Sequence, residues 1–149
     1  MAQAPRILIV TSRYYAHIAA ELEASVSEGL DKVGASYEFL EVPGAFEIPG
    51  AISMAAGTGE WDGFVALGCV IRGETSHYDL ITNHVARGLM ELSISGVPLG
   101  FGVLTVENEE QAKVRADRKQ KNKGAEVVAA VLRMVGLSYR FNKFPEDEE

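Results

Sequence analysis

Cysteine occurs once in the 149 residues, at Cys69, so no intramolecular disulfide can form and nothing points to an oxidising compartment or a Cys-ligated metal site. Within an apolar run, such a residue reads as a small buried hydrophobe. Long hydrophobic stretches are missing too. The longest uncharged segment, Leu92 to Val106, is broken by Gly96, Pro98, Gly100 and Gly102 and falls short of a bilayer span. Near the amino terminus only Ile7-Leu8-Ile9-Val10 is aliphatic, too little for a secretory signal, and the chain is expected in the cytoplasm. There is no excess of positive charge: the net charge of −7 repels a polyanion and argues against general nucleic-acid binding. Repeats, low-complexity segments and linkers are absent as well, which predicts a single domain over 1–149, with a core from about residue 6 to 140 and a solvated tail at Pro145–Glu149.

What is present is an alternation of strand and helix patterns. Ile7–Val10 and Phe64-Val65-Ala66-Leu67 are continuous apolar runs, as expected of central strands covered on both faces. Between them, Ile18, Leu22, Val26 and Leu30 recur along one helical stripe that Gly34 ends, and a second strand falls near Tyr37–Val42. A helix over about 48–56, a long helix from Ser76 to about Ser95 and a strand at Leu99–Val106 continue the pattern. Ser76 and Asp79 fit a capping-box variant at the start of the long helix, and Leu80, Ile81, Val85, Leu89 and Leu92 supply its apolar stripe. Helices near Glu109–Ala116 and Lys123–Val135 follow, the latter with Val127, Val128, Val131, Leu132 and Val135 on one face. Such alternation predicts an α/β protein, a three-layer α/β/α sandwich around a four-stranded parallel sheet with flavodoxin-like layering.

Ligands of open parallel sheets bind beyond the carboxyl ends of the strands. The segments expected there are Thr11–Tyr15, Val42–Glu47, Ile71–His77 and Thr105–Asn108, which would bring aromatic, hydroxyl, carboxylate, imidazole and guanidinium groups to one edge. Gly73–Ser76 enters a helix amino terminus, where unpaired backbone N–H groups favour a phosphate, although helix-start glycines are also an ordinary structural feature. His77 is placed in the first turn, where the dipole favours a neutral imidazole able to accept a proton; a merely polar helix end is the plainer alternative. Six of the fourteen basic residues lie between Lys113 and Lys123, either as a solvated connection or as an anion site in which Arg115 would supply a bidentate fork. Tyr14 and Phe46 could stack on a heteroaromatic ring or pack the core, and Glu47 could bind hydroxyls or simply face water.

Gly44-Ala45-Phe46-Glu47-Ile48-Pro49 and Val70-Ile71-Arg72-Gly73-Glu74-Thr75-Ser76-His77-Tyr78-Asp79 occur together, each in a strand-to-helix connection, with Gly68-Cys69, Phe101–Thr105, Glu107-Asn108 and Asn122-Lys123-Gly124 also in order along the chain. In this the chain resembles the lumazine synthase family from about Ile7 to Val135. The resemblance implies condensation of 5-amino-6-(D-ribitylamino)uracil with 3,4-dihydroxy-2-butanone 4-phosphate to 6,7-dimethyl-8-ribityllumazine, phosphate and water, with neither metal nor organic cofactor. By position it implies His77 as general acid/base, with Glu126 as its carboxylate partner. Arg115 would hold the phosphate together with Thr75 and the backbone N–H of Glu74. Ala45, Phe46 and Glu47 would contact the ribityl chain, Cys69, Val70 and Ile71 line the pyrimidine, Tyr14 stack on it, and Lys123 approach the ring. Phe101 and Arg115 would reach the site from a neighbouring subunit, so the active site would exist only in a homo-oligomer, a pentamer.

Two positions depart from the family pattern. Tyr14 stands where Phe or Trp is common, and Tyr15 where Asn is common. Shell-forming members carry a Gly- and Thr-rich stretch before Asn-Lys-Gly, whereas this chain has Asp117-Arg118-Lys119-Gln120-Lys121, whose bulk and charge predict a free pentamer. Among rival readings, a non-catalytic ribityl-lumazine or flavin-binding paralogue is opposed by His77 and Arg115. A shell protein selected for assembly alone would not need the polar positions named above. A flavodoxin-like electron carrier would need a phosphate loop after the first strand, and Ser12-Arg13-Tyr14-Tyr15 makes a poor one.

Overall fold

A computed structural model describes residues 4–73 and 77–142. The elements in order are β1 (Arg6–Ser12), α1 (Ala16–Lys32), β2 (Ser36–Val42), a single 3-10 turn (Ala45–Glu47), α2 (Ile48–Ala56), β3 (Gly63–Ile71), α3 (Tyr78–Ile94), β4 (Leu99–Val106), α4 (Glu109–Ala116) and α5 (Lys123–Phe141). All strand pairings are parallel and the sheet order is β2-β1-β3-β4. The two continuous apolar runs are therefore the two central strands. No helix among the described residues is long and apolar enough to cross a membrane.

The side-chain period of two along a strand divides the core into two layers. Ile7, Ile9, Val65, Leu67, Leu104 and Val106 pack beneath α1, α4 and α5, while Leu8, Val10, Phe64, Ala66, Leu99 and Val103 pack beneath α2 and α3. This is the expected three-layer sandwich. Because α1 leaves β1 toward one face and α3 leaves β3 toward the other, the sheet has its topological switch point between β1 and β3.

Local signals account for most boundaries. Ile18, Leu22, Val26 and Leu30 are all buried, and α1 closes with Gly34 at φ +72°, a left-handed conformation that a side chain would strain. Its N–H donates to the Asp31 carbonyl, and the Ala35 N–H to that of Leu30, both at 3.1 Å, the paired bonds of a Schellman motif. Pro49 in the first turn of α2 removes no helical hydrogen bond. Asn108 caps α4 by accepting from the Gln111 N–H at 2.9 Å, which sets the direction of the helix that carries Arg115.

Three expectations change. The long helix starts at Tyr78 with His77 as its cap residue, two positions later than predicted; Ser76 lies outside the described residues. Asp79 faces Arg72, its carboxylate 3.5 Å from the guanidinium, so ion pairing competes there with capping. Leu80 is 51% exposed because the buried stripe of α3 is centred on Val85 and Leu89. Helix α5 runs six residues beyond Val135, since Gly136 is tolerated and no stop signal precedes Asn142. Its valine stripe lies on glycines of β4: a Cβ on Gly100 would fall 2.7 Å from the Val127 carbonyl oxygen, and one on Gly102 at 2.7 Å from Leu67 Cδ2. Those glycines allow α5 to approach the sheet closely.

Candidate active site

A cleft of about 320 Å³ opens at the switch point, between the ends of β1 and β3 and the β2–α2 connection. Tyr14, Ala45, Phe46, Glu47, Cys69 and Val70 line it, together with Ser12 and Ile81. Extended backbone at Gly44 and a hydrogen bond from the Glu47 N–H to the Gly44 carbonyl, at 3.1 Å, turn the chain into α2 at this wall. Tyr14 meets Tyr15 edge to face at 5.0 Å and stays 72% exposed at the cleft mouth, a geometry suited to receiving a planar ring. Phe46 packs edge-on against His84, with ring centroids 6.5 Å apart. Burial pushes the Cys69 thiol up to about 12, so it stays a neutral wall of the cleft rather than a thiolate nucleophile. Ile71 is 1% exposed and packs on the α1/α4/α5 side of the sheet, so its side chain does not belong to this wall.

The loop that carries Tyr14 is tied down by Glu23, a residue that no sequence motif marks. The Glu23 carboxylate, on α1, accepts from the Thr11 hydroxyl at 2.8 Å and from the Arg13 guanidinium at 2.7 Å. With the Glu23 side chain only 13% exposed, this bond is little screened by solvent and anchors both sides of the β1 end.

Arg72 has a similar anchoring role at the end of β3. Its Nε lies 3.0 Å from a carboxylate oxygen of Glu107 after β4, and its guanidinium stands 4.2 Å above the Tyr78 ring. The hydrogen bond to Glu107 raises the Arg72 pKa further. The guanidinium thus joins the ends of β3 and β4 to the start of α3, next to the exposed His77. Glu74 and Thr75, expected to hold phosphate, lie outside the described residues.

The remaining predicted residues do not share the first cleft. Phe101 lines a second hollow of about 280 Å³ with Tyr78, Thr82 and Val70. Arg115, Lys123 and Glu126 line a third, of about 420 Å³, with Lys121, Thr105 and Leu104. Val103 and Thr105 border both of these hollows, so both lie around β4, an edge strand. Arg115 lies on α4, which with α5 packs on the opposite layer of the sheet from α3. Glu126 faces Lys123, with 3.5 Å between Oε1 and Nζ, and lines a hollow that His77 does not. The predicted residues that are described thus fall around an aromatic cleft at the switch point and, beside β4, a cationic cavity and the hollow lined by Phe101.

The sequence model of 6,7-dimethyl-8-ribityllumazine synthase matches residues 4–138. The chain is 49% identical to 6,7-dimethyl-8-ribityllumazine synthase of Sphingopyxis alaskensis over 135 residues, covering 91% of this chain and 96% of that protein. It is 48% identical to the protein of the same name from Erythrobacter litoralis, covering 91% and 97%, and 48% identical to that of Agrobacterium fabrum, covering 89% and 94%. The chain belongs to the 6,7-dimethyl-8-ribityllumazine synthase family.

Proposed function

We propose that this chain is a transferase of riboflavin biosynthesis that condenses 5-amino-6-(D-ribitylamino)uracil with 3,4-dihydroxy-2-butanone 4-phosphate to 6,7-dimethyl-8-ribityllumazine, phosphate and water. The observation that carries the reading is the pairing of an aromatic cleft at the sheet switch point with a cationic cavity on the same chain. The pyrimidine amine attacks the ketone and water leaves to give an imine; phosphate departs by elimination; the second amine closes the ring with loss of another water. Each step moves protons, the task assigned to His77. Tyr14 stacks on the pyrimidine, Cys69 and Val70 line it, and Ile71 contributes through its backbone. Ala45, Phe46 and Glu47 hold the ribityl chain, and Arg115 holds the phosphate with Thr75 and the Glu74 N–H.

The separation of cleft and cavity supports an active site shared between copies. Phe101, Arg115, Lys123 and Glu126 stand around the edge strand β4, and in a closed ring each copy would offer them to the aromatic cleft of the next. In that arrangement Lys123 reaches the ring and Glu126 orients the His77 of a neighbour, not that of its own chain. Met54, Met90 and Ile94 are exposed on α2 and α3, apolar surface of the kind that a neighbour covers. The assembly is a homopentamer of single-domain chains acting in the cytoplasm.

The α4–α5 connection supports a pentamer that stays free. Asp117 accepts from the Lys119 N–H at 2.8 Å and from the Gln120 side chain at 2.9 Å, while Arg118 pairs with Glu21 and Glu28 of α1. The bond from Arg118 holds Glu21 below the usual carboxylate range. Sedimentation at the mass of a pentamer is expected; a shell-sized particle would overturn this point.

The activity test mixes the two substrates and follows lumazine absorbance and fluorescence. Wild type should outpace the spontaneous condensation, and His77→Ala and Arg115→Ala should both fall toward it. A wild-type rate equal to the uncatalysed one, with ribityl-lumazine still bound, would replace catalysis by binding.

A further inference from the structure

The basic residues between Lys113 and Lys123 divide by whether the fold already neutralises them. Lys113 lies 3.7 Å from Glu109, Arg118 is held by Glu21 and Glu28, and Lys123 lies 3.5 Å from Glu126. Among the described residues the Arg115 guanidinium donates to a backbone carbonyl, that of Gln111 at 3.3 Å. Among the described residues Arg115, Lys119 and Lys121 have no carboxylate within ion-pair distance, and of these Lys119 does not line the cavity that Arg115 and Lys121 share.

These two cations line the same cavity of about 420 Å³. Arg115, Lys121 and Lys123 against the single carboxylate of Glu126 leave an excess of two positive charges there, on a chain whose net charge is −7. The backbone sets up this approach. The N–H groups of Gln120 and Asn122 both donate to the Asp117 carbonyl at 3.0 Å, and that of Lys121 donates to the Val114 carbonyl at 3.1 Å. Asn122 then takes φ +48°, a left-handed conformation that asparagine tolerates, and its side chain accepts from the Ser25 hydroxyl. This turn folds Lys121 back against the last turn of α4, the turn that carries Arg115.

We propose that Lys121 is a second phosphate-binding cation of the cationic cavity, acting beside Arg115 on the phosphorylated substrate. The proposal rests on the reading of Arg115 as the phosphate ligand. A phosphate monoester dianion carries about two negative charges at neutral pH, which the local excess matches. Arg115 supplies planar bidentate bonds and Lys121 a mobile point charge, so Lys121 adds attraction without fixing orientation.

The test measures, on the assembled enzyme at fixed ionic strength, the KM for each substrate and inhibition by inorganic phosphate. Lys121→Ala should raise the KM for the butanone phosphate and the inhibition constant for phosphate by about 3- to 10-fold, leaving the KM for the pyrimidine and kcat in place. Lys121→Arg should keep near-wild-type values, and Lys113→Ala, the same loss of charge outside the cavity, should leave them unchanged. If Lys121→Ala behaves like Lys113→Ala while Arg115→Ala is defective, Lys121 has no role in phosphate binding. If Arg115→Ala also binds phosphate normally, the phosphate reading of the whole cavity fails, and this proposal with it.

Discussion

Co-expressed His77→Ala and Arg115→Ala chains are expected to form mixed oligomers with about a quarter of the wild-type rate, far above either variant alone. Alone, His77→Ala should lose on the order of 100-fold in kcat, the usual scale of a missing general acid/base. Arg115→Ala should lose activity mainly through a raised KM for the butanone phosphate. Recovery follows from the separation of the aromatic cleft from the cationic cavity within one chain. If a working site takes one half from each of two copies, the Arg115→Ala chain still offers His77 and the His77→Ala chain still offers Arg115. Random mixing brings two intact halves together with probability one half times one half. The experiment compares the co-purified mixture with a blend of the separately purified variants. A mixture no faster than that blend would mean that both residues act within one chain, and the shared-site reading would be wrong.

Gly100→Ala is expected to lower the free energy of unfolding by about 2–3 kcal/mol, whereas Gly136→Ala should raise it by about 0.5–1 kcal/mol. A Cβ on Gly100 meets the Val127 carbonyl oxygen at 2.7 Å, and a backbone atom cannot step aside as a side-chain tip can. Either α5 lifts from the sheet or β4 bends, and dispersion contacts along Val127 and Val131 weaken. The same glycine type in the interior of α5 meets nothing within 4 Å, so Gly136→Ala only restricts the unfolded chain and favours the helix. Denaturant melts at one matched chain concentration check both signs, since assembly links stability to concentration. Two shifts of the same sign would sink the close-approach argument.

Local signals are strong where the chain interacts with its own neighbours. The continuous apolar runs at Ile7–Val10 and Phe64–Leu67 mark central strands because only a strand covered on both faces buries consecutive side chains. Gly34 marks the end of α1, and the period of Ile18, Leu22, Val26 and Leu30 marks its buried face. The start of α3 is harder to read because Asp79, a plausible capping partner in sequence, faces Arg72 seven positions earlier, a spacing that helical periodicity does not reveal. The roles of Glu23 and Lys121 are likewise hidden. One depends on Arg13 reaching across to α1, and the other on a turn closed by the Asp117 carbonyl.

Composition, periodicity and short motifs read along the chain carry the class of the fold, the order of its elements and the family, and they name candidate side chains for the site without saying which of them meet. How those side chains are shared out follows from the folded chain. It put Tyr14, Phe46 and Glu47 in one cleft and Arg115, Lys123 and Glu126 in another, turned Ile71 into the core, and paired Glu126 with Lys123. The physical reason is that strand alternation and helix placement send neighbours in sequence to opposite layers, and which layer each group joins depends on packing across the whole sheet.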